Sequence, residues 1–196
     1  MRIIIIAAFL ICFSITLIGQ EKDTELKSIE TIYSGEGAWK DWYIRTNGST
    51  GRLETTYSGE EAWRNWNISY ISRTGEIRTT YSGKDAWQSW SFSFSDYSGT
   101  IRTVCSGEDS WKSWTLSSGD VTIRIETVYS GSDAWQSWRI TGKSGNIEIS
   151  TTYSGKESWK NWSITDRMRE ESVYLKMAAV FPCVFSGFFF STESQG

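Results

Sequence analysis

An all-β array of six tandem 24-residue units is the fold class that the sequence predicts, and three observations predict it. Tyr33, Tyr57, Tyr81, Cys105, Tyr129 and Tyr153 follow one another at a constant step of 24 residues. A fixed period of this length marks an array of supersecondary units. Within each unit, stretches such as Ile77-Arg78-Thr79-Thr80-Tyr81 alternate with period two and are rich in β-branched residues, which marks strands. The segments between units carry Gly among Ser, Thr, Asn and Asp, which is turn chemistry.

Each copy reads aliphatic, polar, Thr, β-branched or Thr, Tyr, Ser, Gly, variable, acidic, Ala or Ser, Trp, two polar residues, Trp, polar, aliphatic or Phe. Ser, Gly, both Trp and the Thr two before the Tyr recur in all six. The incoming strand places Ile77, Thr79 and Tyr81 on one face, with Leu53, Ile101, Ile125 and Ile149 at the first of these positions in other copies. A second strand opens at the later Trp, where Trp90 and Phe92 face one way and Ser91 and Ser93 the other. Between the strands, Ser-Gly-x-Asp/Glu has the spacing of a capping box and predicts one short helical turn. The first copy departs, with Gly37 in the acid's place, so its turn is expected to fray.

In the fifth and sixth copies Ile123 and Ile147 extend the incoming strand in phase while the loop shortens, as a shared strand register requires. One copy offers too few apolar groups to offset the ordering of its own backbone, so neighbouring copies must stack. The units are expected to form an antiparallel meander or a solenoid-like array over residues 29–164, preceded by a short linker at 20–28, and the pattern alone does not choose between a flat meander, a closed barrel and a coil.

Flanking this array, Met1-Arg2 and the apolar run Ile3–Ile18 have the layout of a secretory signal over residues 1–19, with cleavage after Gly19. An uncleaved anchor is the alternative. After the last copy, Thr165 to Val180 reads as a helix ended by Pro182. Residues 165–196 would then be a helical cap with an apolar tail, or a membrane-associating segment. The expected localisation is secreted, periplasmic or cell-surface.

Function classes are narrowed by composition. The chain has no His and a formal net charge of -3, which removes imidazole chemistry and gives no electrostatic reason to bind nucleic acid. No catalytic, cofactor or metal set is predicted. The recurring acids Glu61, Asp85, Asp109, Asp133 and Glu157 are read as caps rather than as a metal ladder or catalytic carboxylates. The column Thr31, Thr55, Thr79, Thr103, Thr127 and Thr151 is read as sheet propensity rather than as an ice- or crystal-binding hydroxyl array. Cys105 is expected to fill a core position left by Tyr, with a disulfide to Cys183 as a further reading. Asn47, Asn67 and Asn161 begin glycosylation sequons that matter only in a eukaryotic source.

The twelve Trp are expected to form the core. If one Trp of each pair is exposed, it is the earlier: Trp39, Trp63, Trp87, Trp111, Trp135 and Trp159. These are the candidate ligand-stacking residues of a carbohydrate-binding alternative, in which tandem copies add avidity. The main expectation is a non-enzymatic structural or adhesive module whose partner the sequence does not identify, a glycan and another surface protein being the candidates.

At Tyr-Ser-Gly-x-x-Ala-Trp-x-x-Trp-x-Ile followed by a Gly-containing return, the chain resembles the Trp-rich hairpin repeats of uncharacterised secreted bacterial proteins. The likeness covers Ile29 to Thr165. It is also loosely similar to MORN repeats, hairpin units built on Tyr-x-Gly, a likeness that implies an elongated meander used for attachment. MORN units lack the paired Trp and carry more Gly.

Overall fold

A computed structural model describes residues 24–155 and 157–193. The signal segment at 1–19 and the last three residues lie outside the described residues. Alternating strands run through the chain as β1 (Leu26–Thr31), β2 (Asp41–Thr46), β3 (Thr50–Thr55), β4 (Asn65–Tyr70), β5 (Arg73–Thr79) and β6 (Ser89–Phe94). They continue as β7 (Tyr97–Thr103), β8 (Ser113–Ser118), β9 (Val121–Thr127), β10 (Ser137–Thr141), β11 (Asn146–Thr151) and β12 (Asn161–Asp166). A short 3-10 turn follows every odd-numbered strand, and among the described residues one α-helix, Val173–Glu193, follows the last strand.

Each strand pairs antiparallel with its neighbours in sequence, and β1 pairs with β12, so the sheet closes into a barrel. The seam is set by Ser28 opposite Ser163, Ile29 opposite Trp162 and Glu30 opposite Asn161. Of the two expected arrangements this is the antiparallel meander, closed on itself, and not the solenoid-like array. Closure leaves no sheet edge unpaired. It also accounts for the constant period, because one residue inserted into one strand would turn that strand's apolar face outward.

The alternation sorts cleanly. Inward positions form tiers: in each unit the Thr lies opposite the later Trp across the hairpin, as Thr79 does with Trp90, and the aliphatic residue lies opposite another apolar residue, as Ile77 does with Phe92. Across the next strand boundary the same Trp90 faces Ile101. All six later Trp, at positions 42, 66, 90, 114, 138 and 162, are at most 2% exposed. The outer face is polar and carries ion pairs such as Arg78–Glu76 at 2.7 Å and Arg124–Glu126 at 3.0 Å. A lipid-facing barrel has the opposite arrangement, with an apolar band outside.

A wall of this many strands encloses more space than its own side chains fill. The C-terminal helix occupies that space. It contacts β1, β6, β7, β9 and β10, which lie on different sides of the barrel, and Val173 to Gly187 are buried without interruption. The expected cap is therefore an internal plug. By length and composition the segment Val173–Ser191 could cross a membrane, yet 83% of its most apolar window is buried inside the barrel. A helix that is apolar all round needs an apolar environment all round, and here the Trp-lined wall supplies it.

Pro182 lies inside the helix rather than at its end. Proline removes one helical hydrogen bond. The surrounding wall outweighs that loss: Phe181 meets Trp90 at 4.8 Å and Trp66 at 5.6 Å between centroids, and Phe185 meets Trp90 at 5.1 Å. At Gly187 an added Cβ would stand 2.6 Å from the Trp162 ring, so the helix can pass that ring only without a side chain.

A buried polar knot locks the seam. Lys176, 1% exposed, donates to the Thr24 carbonyl at 3.0 Å and to Asp166 Oδ2 at 3.1 Å. Asp166 also accepts from the Leu26 amide at 3.0 Å and from the Met168 amide at 2.9 Å. The first strand, the last strand and the helix thus share one carboxylate. Nearby, the turn at Gly142–Gly145 is tied to the segment leading into the helix, where Glu171 accepts from the Ser144 amide at 3.1 Å.

Removing one member of a buried ion pair leaves the other unpaired, which costs about 3–5 kcal/mol. Lys176→Met is expected to lower the unfolding free energy by that amount, and adding Asp166→Asn to restore much of it. Chemical denaturation of the two variants beside the wild type checks this. Trp114→Ala, which empties a fully buried indole site, is expected to cost about 3–5 kcal/mol in the same assay.

Candidate functional site

The six 3-10 turns stand at one end of the barrel, and their backbone is set by glycine. Gly35, Gly59, Gly83, Gly107, Gly131 and Gly155, the Gly of every Ser-Gly pair, have φ between +94° and +113°. Side-chain-bearing residues rarely adopt that region, which explains why the pair recurs unchanged. The carbonyl of each of these glycines accepts from the amide three residues on, for example Ala86 N to Gly83 O at 3.2 Å. The chain then enters the next strand in an extended conformation.

The capping box is not formed. None of the six turns has a side-chain cap hydrogen bond. Glycine geometry and backbone hydrogen bonds close the turn instead, so the first copy, with Gly37, forms the same turn at Ala38–Lys40 as the others. The acids turn outward. Glu61 pairs with Arg64 at 2.7 Å and Asp109 with Lys112 at 2.6 Å, and Glu157 pairs with Lys160 in the same way. Those cations also lie over the earlier Trp of their own copy, at 5.1 Å for Arg64 on Trp63 and 5.3 Å for Lys112 on Trp111.

The paired Trp divide their work. In every copy the later indole N–H donates to the backbone carbonyl of the earlier Trp at 2.5–2.6 Å. Each earlier ring then meets the later ring of the next copy: Trp39 with Trp66 at 6.0 Å, Trp87 with Trp114 at 6.0 Å and Trp135 with Trp162 at 6.2 Å between centroids. Trp159 returns to Trp42 at 5.7 Å and completes the circle. Of the candidate stacking column, Trp87, Trp111, Trp135 and Trp159 are buried, while Trp39 and Trp63 are half-buried. The earlier column is the more exposed of the two, and the helix end covers it. Phe188 stacks on Trp39 at 4.6 Å and Phe190 on Trp111 at 5.0 Å.

Tyrosine, read from the sequence as a core position, is instead the exposed aromatic. Tyr33, Tyr57, Tyr81, Tyr129 and Tyr153 are 48–67% exposed. Strand β5 ends at Thr79, two residues before Tyr81, and the other incoming strands likewise stop before their Tyr. The period-two alternation does not carry past the strand end. Two signals mark that end: each Tyr directly precedes a Ser-Gly turn, and one copy accepts Cys105 in its place. Cys105 is exposed, while Cys183 is buried in the lumen, and both are free, so neither the core reading of Cys105 nor the disulfide holds. Burial pushes the Cys183 thiol well above its ordinary pKa.

The Thr column faces inward, opposite the buried indoles, and is half-buried rather than an outer hydroxyl array. Among the described residues no three His, Cys, Asp or Glu side chains converge as metal ligands would. Beside the fifth turn an open cleft of about 430 Å³ is lined by Tyr129, Ser130, Asp133, Gln136, Ser137, Ser150 and Thr151. No protein-family model matches this chain, and no curated protein or solved structure matches it either.

A thiol reagent applied to the native protein is expected to modify Cys105 at once and Cys183 only on unfolding, because the latter is enclosed and its thiolate is disfavoured. Mass spectrometry of tryptic peptides distinguishes the two sites. Rapid native labelling at Cys183 would contradict the placement of the helix.

Proposed function

We propose that this chain is an exported, non-catalytic structural or adhesive module that presents its turn rim as a surface for interaction. One observation carries the reading: five of the six positions at a 24-residue step on one rim are tyrosines, each about half to two-thirds exposed, with Cys105 at the sixth. Tyrosine offers a large, rigid contact area with a polar tip at low conformational-entropy cost, which suits recognition. Turns on a rigid scaffold are the usual carriers of such contacts.

Two further features support it. The lumen is filled by the protein's own helix, so a ligand has its approach from outside. The six copies, taken as six equivalent units, give a single rim several weak contacts whose combined avidity exceeds each one alone. The apolar run at Ile3–Ile18, followed by the polar Gln20-Glu21-Lys22, supports export with removal of residues 1–19.

Replacing Tyr33, Tyr57, Tyr81, Tyr129 and Tyr153 together by Ser is the test, since exposed positions of this kind shift stability little. The variant is expected to keep the wild-type melting temperature and to lose at least about tenfold in retention on immobilised mucin, a loss of about 1.4 kcal/mol. Equal retention of variant and wild type, or no retention of either, would count against the rim as the contact face. Secreted protein is expected to begin at Gln20, as read by intact mass.

A further inference from the structure

Four of the six turns use their charges internally, and two do not. Three residues after the acid position, the first, second, fourth and sixth copies carry Lys40, Arg64, Lys112 and Lys160, each placed over its own earlier Trp at 5.1–5.4 Å. The third and fifth carry Gln88 and Gln136 instead. Their ten-residue turns are otherwise the same, Tyr-Ser-Gly-x-Asp-Ala-Trp-Gln-Ser-Trp at 81–90 and 129–138. Asp85 and Asp133 therefore have no cation three residues on, unlike Glu61, Asp109 and Glu157. The fifth turn also borders the open cleft of about 430 Å³. At the third turn Arg102 occupies the position that Ser150 holds beside the fifth, so a long cationic side chain stands where the cleft wall is small.

We infer that the cleft beside the fifth turn binds a neutral hexose at the exposed end of a glycan, through Tyr129, Asp133, Gln136 and Ser150. The proposal deepens the adhesive reading and rests on it. Tyr129, 67% exposed, presents a ring face to the C–H face of a pyranose. The Asp133 carboxylate accepts from two adjacent hydroxyls, and charge-assisted bonds of this kind are the stronger ones. Gln136 both donates and accepts, and the Ser150 hydroxyl can do either. The carboxylate disfavours acidic sugars. The amide and hydroxyls around it suit a polyhydroxylated ligand better than a lone ammonium, which would use only the carboxylate and the ring. The cleft volume lies within the range of small-ligand sites.

The test is a titration of the purified chain with methyl β-D-galactopyranoside, methyl β-D-glucopyranoside and methyl α-D-mannopyranoside, followed by saturation-transfer NMR, with choline chloride as the cationic comparison. At least one glycoside is expected to bind. Asp133→Asn and Tyr129→Ala are each expected to weaken that binding about tenfold or more at an unchanged melting temperature. Asp85→Asn is expected to leave it unchanged. Binding of none of the three glycosides, binding that survives both fifth-turn variants, or displacement of the glycoside by choline would overturn the assignment. If mucin retention depends on the tyrosines but no glycoside competes for it, the adhesive reading stands and the hexose site falls.

Discussion

The bond from each later indole N–H to the carbonyl of the earlier Trp is the interaction on which the rest of the molecule depends. An indole donor buried without an acceptor would cost free energy, and this chain buries six such donors in one tier. The spacing Trp-x-x-Trp answers that need, because one 3-10 turn brings the carbonyl of the first over the nitrogen of the second. With the pair fixed, the earlier ring has one direction left, toward the later ring of the next copy. Six such steps return to the start, where Trp159 meets Trp42. Local geometry is thus converted into a closed circle.

A closed circle of indoles creates a wide apolar lumen, and the helix is the consequence. It needs no polar face, and the one ammonium it buries, Lys176, has its partners ready at the seam. Its three consecutive Phe, at 188–190, lie among the earlier Trp and close the barrel at the turn end. Wall and plug are therefore interdependent. The wall without the helix would expose its indoles, and the helix without the wall would expose a segment apolar enough to cross a membrane. The outer face, polar and crossed by exposed ion pairs, contributes solubility more than stability.

Much of this was legible in the sequence, and the failures share a cause. The strand alternation and the short helical turn follow from local pattern, and both are present in the fold. Closure is not local: Ser28 and Ser163 carry no mark that they are neighbours. In the sequence the helix reads as a cap because its enclosure on every side is a property of the barrel, and Pro182 reads as its end because a helix in water would stop there. Alternation places Tyr in the core only if it runs two residues beyond the strand, and the strands stop short of that. The capping box fitted the spacing, but the positive φ of Gly59 and its equivalents sets the turn without help from the acid. That release of the acids is what leaves Asp133 available at the rim.

Strand closure is where the account is most exposed, since an open array would keep every hairpin and lose only the pairing of β1 with β12. The decisive measurement is a cysteine cross-link across the seam, Ser28→Cys with Ser163→Cys in a Cys105→Ser background, oxidised mildly under native conditions. Directly opposed strand residues lie within disulfide reach. The closed barrel predicts an intramolecular disulfide, seen as faster migration of the nonreduced monomer that reverses with dithiothreitol. Two thiols that stay free, or that link only between molecules, would contradict it.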